Sequence, residues 1–298
     1  MALVPLNILP FCLGSFFVVL TVGASRPMLS LYADELGASL LEIGLLTACF
    51  SFLPLLFAVS AGKIVDRLGP GLPTVCGALG MGISLFIPFL FPSVAGLAVT
   101  QLMLGMSHLT IVVAQQNGVG QASSREDRDR NVANFSLFGS IGMILGPVLG
   151  GYLSEHFGFQ RTFFCVGWIA LVPALFPLLF KMKMKAENRK TEDDKGGYGL
   201  IAQAVMVRDA LKKPVIRGAV IVSAVVLSSL DIFRVYFPLH AQALGYSASQ
   251  IGLLLFGQGL ANIAVRGFMA PVTARIGHLQ LLWLSLIIGA AAFGGLTI

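Results

Sequence analysis

The sequence predicts an all-α membrane protein, and three observations support this prediction. Hydrophobic residues make up 56% of the 298 residues and charged residues only 11%. Because soluble domains carry about 25% charged residues, this chain has too few charges to cover a water-facing surface. Its apolar residues form continuous runs of about 20 residues, the length of a helix that crosses a bilayer. Part of the chain also occurs twice in the same orientation.

Nine apolar runs predict nine membrane-spanning helices. A β-barrel is excluded, because its strands alternate apolar and polar residues over about ten positions. The first run lacks a basic N-terminal region and is too long for a signal peptide, so we expect it to be retained. The predicted spans are Leu6–Leu31, Leu41–Ser60, Leu72–Phe91, Val94–Asn117, Val132–Leu153, Thr162–Phe180, Val215–Leu239, Gln250–Pro271 and Leu279–Ile298.

A repeat with an offset of 208 residues defines the organisation of the chain. Arg26–Gly69 aligns without a gap onto Arg234–Gly277, with 12 identities in 44 positions that cluster at glycines, turns and arginines. The same offset places Ile298 at the end of the third span of the first copy. The chain therefore contains six helices and the first three of a second set. We expect a chain truncated after the ninth helix of a 6+6 protein, as either a fragment or a frameshifted gene.

The predicted domains are a six-helix bundle at 1–181, a linker at 182–213 and a partial second bundle at 214–298. The linker is charged and too polar to enter lipid, and its end at Leu200–Lys213 has the spacing of an interfacial helix. Of the 20 basic residues, 17 lie on one side of the predicted spans. Because basic loops stay cytoplasmic, the N-terminus is predicted to be cytoplasmic and the protein multi-pass in the cell (inner) membrane.

The turn after the second span reads Gly62-Lys63-Ile64-Val65-Asp66-Arg67-Leu68-Gly69. This stretch resembles the GxxxDRxG signature of the major facilitator superfamily, whose layout of six helices, a basic linker and a parallel repeat this chain shares. The two glycines are expected to permit a very short turn. The resemblance implies a cytoplasmic gating loop whose Asp66 faces the N-terminal end of a helix in the other half. The alternative is a plain tight turn.

A second motif lies in the fifth span. The stretch Gly142 to Gly151 resembles the GxxxGPxxGG motif of exporters in that family that exchange substrate for protons. Two interpretations are open: an exporter motif, or a packing face on which glycines let another helix approach closely. Its residues are Gly142, Gly146, Pro147, Gly150 and Gly151.

Ionisable residues at membrane depth mark a candidate coupling or substrate site. Asp231 and Arg234 lie one turn apart in the seventh span, and Arg26 is the repeat counterpart of Arg234. The arginines are candidates for holding an anionic substrate group, or for reaching the outer interface. Asp231, whose counterpart is Gly23, is a candidate proton carrier or a structural ion-pair partner.

Other polar residues in the spans are weaker candidates. Gln258 and Asn262 form a stripe with Arg266 in the eighth span, which predicts cavity lining or helix–helix hydrogen bonds. His108 in the fourth span can titrate near neutral pH or simply pack. Gln101 stands where the family often has an arginine linked to proton transfer.

The prediction is therefore a secondary transporter of the drug:proton antiporter type that works by alternating access. We expect small-molecule substrates, protons and lipid as partners, no nucleic acid, no cofactor beyond the proton gradient, and a monomer when complete. An importer or exchanger of organic anions and a nontransporting receptor on the same fold are the alternatives. The sequence carries no HExxH, GxSxG or P-loop motif, so an enzyme is not predicted.

Overall fold

The computed structural model describes residues 4–180, 208 and 212–295, and its described elements are helices. This confirms the predicted all-α fold. The predicted linker, with its interfacial helix, lies almost wholly outside the described residues. The helices are α1 Leu9–Glu35, α2 Leu40–Leu68, α3 Gly71–Leu90, α4 Val94–Ala122, α5 Arg128–Phe157, α6 Phe159–Leu171, α7 Pro214–Ala243, α8 Ala248–Ile276 and α9 His278–Gly295.

Eight helical segments in the described part of the chain are long and apolar enough to cross a membrane. Their outward faces are apolar: the side chain of Leu55 is 80% exposed and that of Leu41 is 72% exposed. Acyl chains solvate such a surface, whereas water does not. The protein is therefore a multi-pass membrane protein.

Several helices run past the predicted spans. Helix α2 continues from Ser60 to Leu68, and α5 begins at Arg128 instead of Val132. Hydropathy marks only the apolar part of such helices and misses the polar turns at their ends. The sixth predicted span is interrupted, because a 3-10 turn at Val172–Leu175 separates α6 from a last helical turn at Phe176–Leu179. Pro173 in that turn lacks the N–H that a continuous α-helix requires.

The described chain forms two compact units, Met1–Leu255 and Phe256–Ile298. In the first unit α1 is central and packs against α4, α5, α6 and α7. Its Tyr32 ring stacks on Phe159 with a centroid distance of 5.7 Å. The second unit contains the rest of α8 and α9. The domain boundaries at 181 and 213 stay predictions.

The two copies of the repeat turn from one helix into the next in the same way. Gly37 and Gly245, which the offset pairs, have φ angles of 80° and 87°, a left-handed conformation that favours glycine. Each turn is followed by a reciprocal cap. Ser39 N–H donates to Glu42 at 2.7 Å, and Ser247 N–H donates to Gln250 at 2.9 Å. The repeat in the sequence is therefore a repeat in the structure.

Candidate functional site

An ion pair joins the first helix of the first bundle to the first helix of the second. Arg26 Nη1 on α1 donates to Asp231 Oδ1 on α7 at 3.2 Å. Arg234 Nη1 lies 3.9 Å from the same oxygen. Asp231 thus lies between the two repeat-related arginines, which the sequence offered only as separate candidates. The structure supports the ion-pair interpretation of Asp231.

Arg26 is held by more than its carboxylate partner. Its guanidinium carbon lies 4.3 Å from the centre of the Phe50 ring on α2, a favourable cation–π distance. Only 20% of the Arg26 side chain is exposed. His108 on α4 packs on the same ring, with a centroid distance of 5.5 Å. Phe50 therefore contacts the side chains of both Arg26 and His108.

A small pocket adjoins the ion pair. Its volume is about 10 Å³, roughly the space of one water molecule. A molecule larger than water does not fit in this pocket. Beside the three charged residues, the pocket is lined by Leu29, Thr47, Gln101 and Val235. Gln101 thus lies beside Arg26, at the position where the family often has an arginine.

The glycines of the fifth span bring α5 against α1. A Cβ on Gly146 would lie 2.7 Å from Gly23 Cα, and one on Gly150 would lie 2.6 Å from the Ala24 carbonyl oxygen. Gly142 likewise meets the backbone at Phe16. The prediction that these glycines form a face for close helix approach is confirmed. This contact fixes the helix that carries Arg26.

The same motif has a second face. Gly151 packs against the Ala248 carbonyl group at the start of α8, and Gly252 of α8 packs against the Pro147 carbonyl group. Side chains at these glycines would separate the two backbones. The motif residues therefore pack against α1 on one side and against α8 on the other.

The Gly62–Gly69 signature is not a loop, which corrects the expectation that both glycines make the turn. Gly62 lies inside α2, where a Cβ would meet nothing within 4 Å. Only Gly69, with φ of 74°, turns the chain into α3. Asp66 lies in the last turns of α2 and accepts a hydrogen bond from Asn117 Nδ2 of α4 at 2.7 Å. Arg67 is exposed in the same turn.

The polar stripe of α8 begins in the second unit. Gln258 is partly buried and Asn262 is exposed there, while the side chain of Arg266 lies outside the described residues. Their role stays a prediction. Sequence reasoning missed Phe50 and Thr47 as neighbours of Arg26. The sequence did contain one indication for Phe50. Its repeat counterpart is the polar Gln258, so the two copies differ in character at this position.

The sequence profile of the Major Facilitator Superfamily matches residues 11–298. The chain belongs to the major facilitator superfamily of membrane transporters. Multidrug resistance protein 1 of Bacillus subtilis (strain 168) is 24% identical over 279 residues, covering 93% of this chain and 69% of that protein. Quinolone resistance protein NorA of Staphylococcus aureus is 24% identical over 246 residues, covering 82% of this chain and 61% of NorA.

Solved structures of the superfamily share the fold. The nucleoside transporter NupG superposes with a TM-score of 0.72 at 13% identity, covering 91% of this chain and 69% of NupG. A bacterial homologue of the human lysosomal transporter Spinster superposes with a TM-score of 0.66 at 15% identity, covering 89% and 63% of the two chains. At these identities the likeness shows the fold alone. The chain spans about two thirds of the length of these proteins.

Proposed function

We propose that this chain belongs to a secondary transporter that exports small molecules in exchange for protons by alternating access. It lies in the cell (inner) membrane with a cytoplasmic N-terminus. The drug-resistance names of the two relatives and the glycine motif on α5 support export. The distribution of basic residues supports the orientation.

The ion pair between Arg26 and Asp231 is the observation that carries the proposal. Asp231 is a carboxylate at membrane depth, and such groups typically take part in ion or proton movement. When Asp231 is ionised, it attracts Arg26 and ties α7 to α1. A proton on Asp231 removes that attraction, so one protonation event can alter the contact between the bundles.

The contacts between α7 or α8 and the first six helices fit alternating access. Tyr236 Oη donates to the Leu40 carbonyl oxygen at 3.2 Å, and Ser249 N–H donates to Glu155 at 2.9 Å. Both contacts lie toward the end of the bundle at which α1 ends and α2 begins, which we call the predicted outer end. A transporter closed at one end exposes its central site from the other.

The first prediction concerns proton coupling in Asp231→Asn. In everted vesicles from cells that express the gene encoding this chain, substrate-dependent proton movement is expected to fall at least about tenfold, because asparagine cannot carry the proton. Ciprofloxacin and ethidium serve as probes, and a pH-sensitive dye reports the gradient.

The matched control is Asp34→Asn, the same change at an exposed carboxylate near the end of α1. It is expected to retain full coupling. Full coupling in Asp231→Asn contradicts the proton-carrier role. Wild-type vesicles that transport a probe without moving protons contradict the exchange itself.

A second candidate function, the transport of organic anions, is favoured by the charge of the site. Two guanidinium groups face one carboxylate, so the cluster has a formal charge of +1. Asp231 occupies the place that a substrate carboxylate or phosphate would take between two arginines. An anion bound there displaces Asp231, which is then better neutralised by a proton. A protein with this function therefore binds the anion and a proton together.

The second prediction uses that linkage to separate the two functions. If the site takes anions, adding benzoate to purified protein in weak buffer is expected to cause uptake of about one proton per bound anion. Asp231→Asn should bind benzoate without proton uptake. Benzamide, which is uncharged, should neither bind nor cause proton uptake. Proton release on binding of ciprofloxacin or ethidium, with no response to benzoate, instead supports exchange.

A further inference from the structure

A carboxylate from α5 holds the first turn of α8. Glu155, near the end of α5, accepts a hydrogen bond from the backbone N–H of Ser249 at 2.9 Å. The first turn of a helix has N–H groups without partners inside the helix. The capping box of α8 occupies the N–H groups of Ser247 and Gln250. Glu155 supplies an acceptor for the N–H group of Ser249, one of the two N–H groups between them.

Close backbone packing makes this bond possible. A Cβ on Gly151, one turn before Glu155, would lie 3.2 Å from Ser249 Cα. With a larger residue at Gly151, α5 and α8 would lie farther apart and the carboxylate would not reach the helix terminus. The bond and the glycine contact therefore form one structural unit at the predicted outer end.

The first copy of the repeat has a different arrangement. The counterpart of Ser249 is Leu41, in the first turn of α2. The carboxylate near that turn is Glu42, which bonds to Ser39 within its own capping box. A carboxylate therefore bonds near the start of both α2 and α8. At α2 it belongs to the same helix, whereas at α8 it is Glu155 of α5. Because α8 also has its own capping box, the bond from Glu155 is additional to local capping.

We propose that Glu155 is a latch that fastens the first turn of α8 to the end of α5 and keeps the predicted outer end closed. This inference rests on alternating access, the proposed function. A negative charge is favourable at a helix N-terminus, where the peptide dipoles leave partial positive charge. Opening this end must separate α5 from α8 and break the bond. Removing the carboxylate therefore shifts the protein toward the open form.

The experiment measures the distance between α5 and α8 in the purified protein. Spin labels are placed on cysteines at Phe157 and Tyr246, both exposed and located at the ends that the latch joins. The background replaces the native cysteines Cys12, Cys49, Cys76 and Cys165. We expect Glu155→Ala to raise the ratio of long to short distances about tenfold, because it removes one hydrogen bond to a charged group. Glu155→Gln should raise it about two- to fivefold, because the amide accepts the bond without the charge.

The matched control is Glu42→Gln, which removes a capping carboxylate that bonds within its own turn. It is expected to leave the distances between α5 and α8 unchanged. Wild-type distances in Glu155→Ala overturn the latch, and so does an equal separation in Glu42→Gln. Failure of the proposed function is seen separately, as absent proton movement in wild-type vesicles.

Discussion

Replacing Gly146 by leucine is expected to prevent normal folding. A Cβ at Gly146 would lie 2.7 Å from three backbone atoms, Ala24 N, Gly23 C and Gly23 Cα. Backbone atoms cannot move aside as a flexible side chain can, so α1 and α5 would be forced apart. Overpacking typically costs about 1–3 kcal/mol and more where the surroundings are rigid. We expect the yield of monodisperse protein in detergent to fall at least about tenfold.

Gly62→Leu is the matched control for this prediction. Gly62 is also a helical glycine in a family motif, but a Cβ there would meet nothing within 4 Å. The variant is expected to elute at the wild-type volume, and its unfolding temperature should lie within a few degrees of wild type. Leucine is a better helix former than glycine, so the helix itself is not weakened. Normal yield and thermal stability of Gly146→Leu would contradict the close α1–α5 contact.

Removing either partner of the ion pair is expected to destabilise the protein more than removing both. Asp231→Leu removes the carboxylate that Arg26 contacts, although only 20% of the Arg26 side chain is exposed. An unpaired, largely buried charge is costly, whereas replacing both charges by apolar groups is often nearly neutral. Allowing for the partial exposure of Asp231, we expect a loss of about 2 kcal/mol in Asp231→Leu.

The complete cycle consists of Arg26→Leu, Asp231→Leu and the double variant, compared by the free energy of unfolding in detergent. Arg26→Leu is expected to lower the free energy of unfolding less than Asp231→Leu does, because Asp231 still has Arg234 at 3.9 Å. The double variant should lie within about 1 kcal/mol of wild type. Strictly additive losses would show that the two residues do not stabilise each other.

The sequence alone predicted the features that depend on local chemistry. A run of about 20 apolar residues must be helical in a membrane, because lipid offers no partner for exposed backbone groups. The glycine and serine positions shared by the two repeats predicted matching turns, and Gly37 and Gly245 adopt the same left-handed conformation. The spacing of Gly142, Gly146 and Gly150 predicted a packing face because those residues share one side of a helix.

Other features depend on which helices meet. Nothing in the sequence near Gly62 distinguishes a glycine in a turn from a glycine in a helix with open space around it. Asp231 lies one turn from Arg234, yet its shorter contact is with Arg26, 205 residues away. In the sequence Phe50 is only the apolar counterpart of Gln258, whereas the structure places the guanidinium of Arg26 over its ring.

Composition and periodicity by themselves therefore determined the fold class and the repeat of this protein. These properties follow from the free energy of transferring each segment from water to lipid and from the local conformation of single turns. Only the tertiary structure decided that α5 packs against both α1 and α8, that Asp231 binds Arg26, and that Glu155 caps α8. Those contacts depend on the mutual placement of distant helices, and in lipid that placement is set by close packing and a few polar bonds.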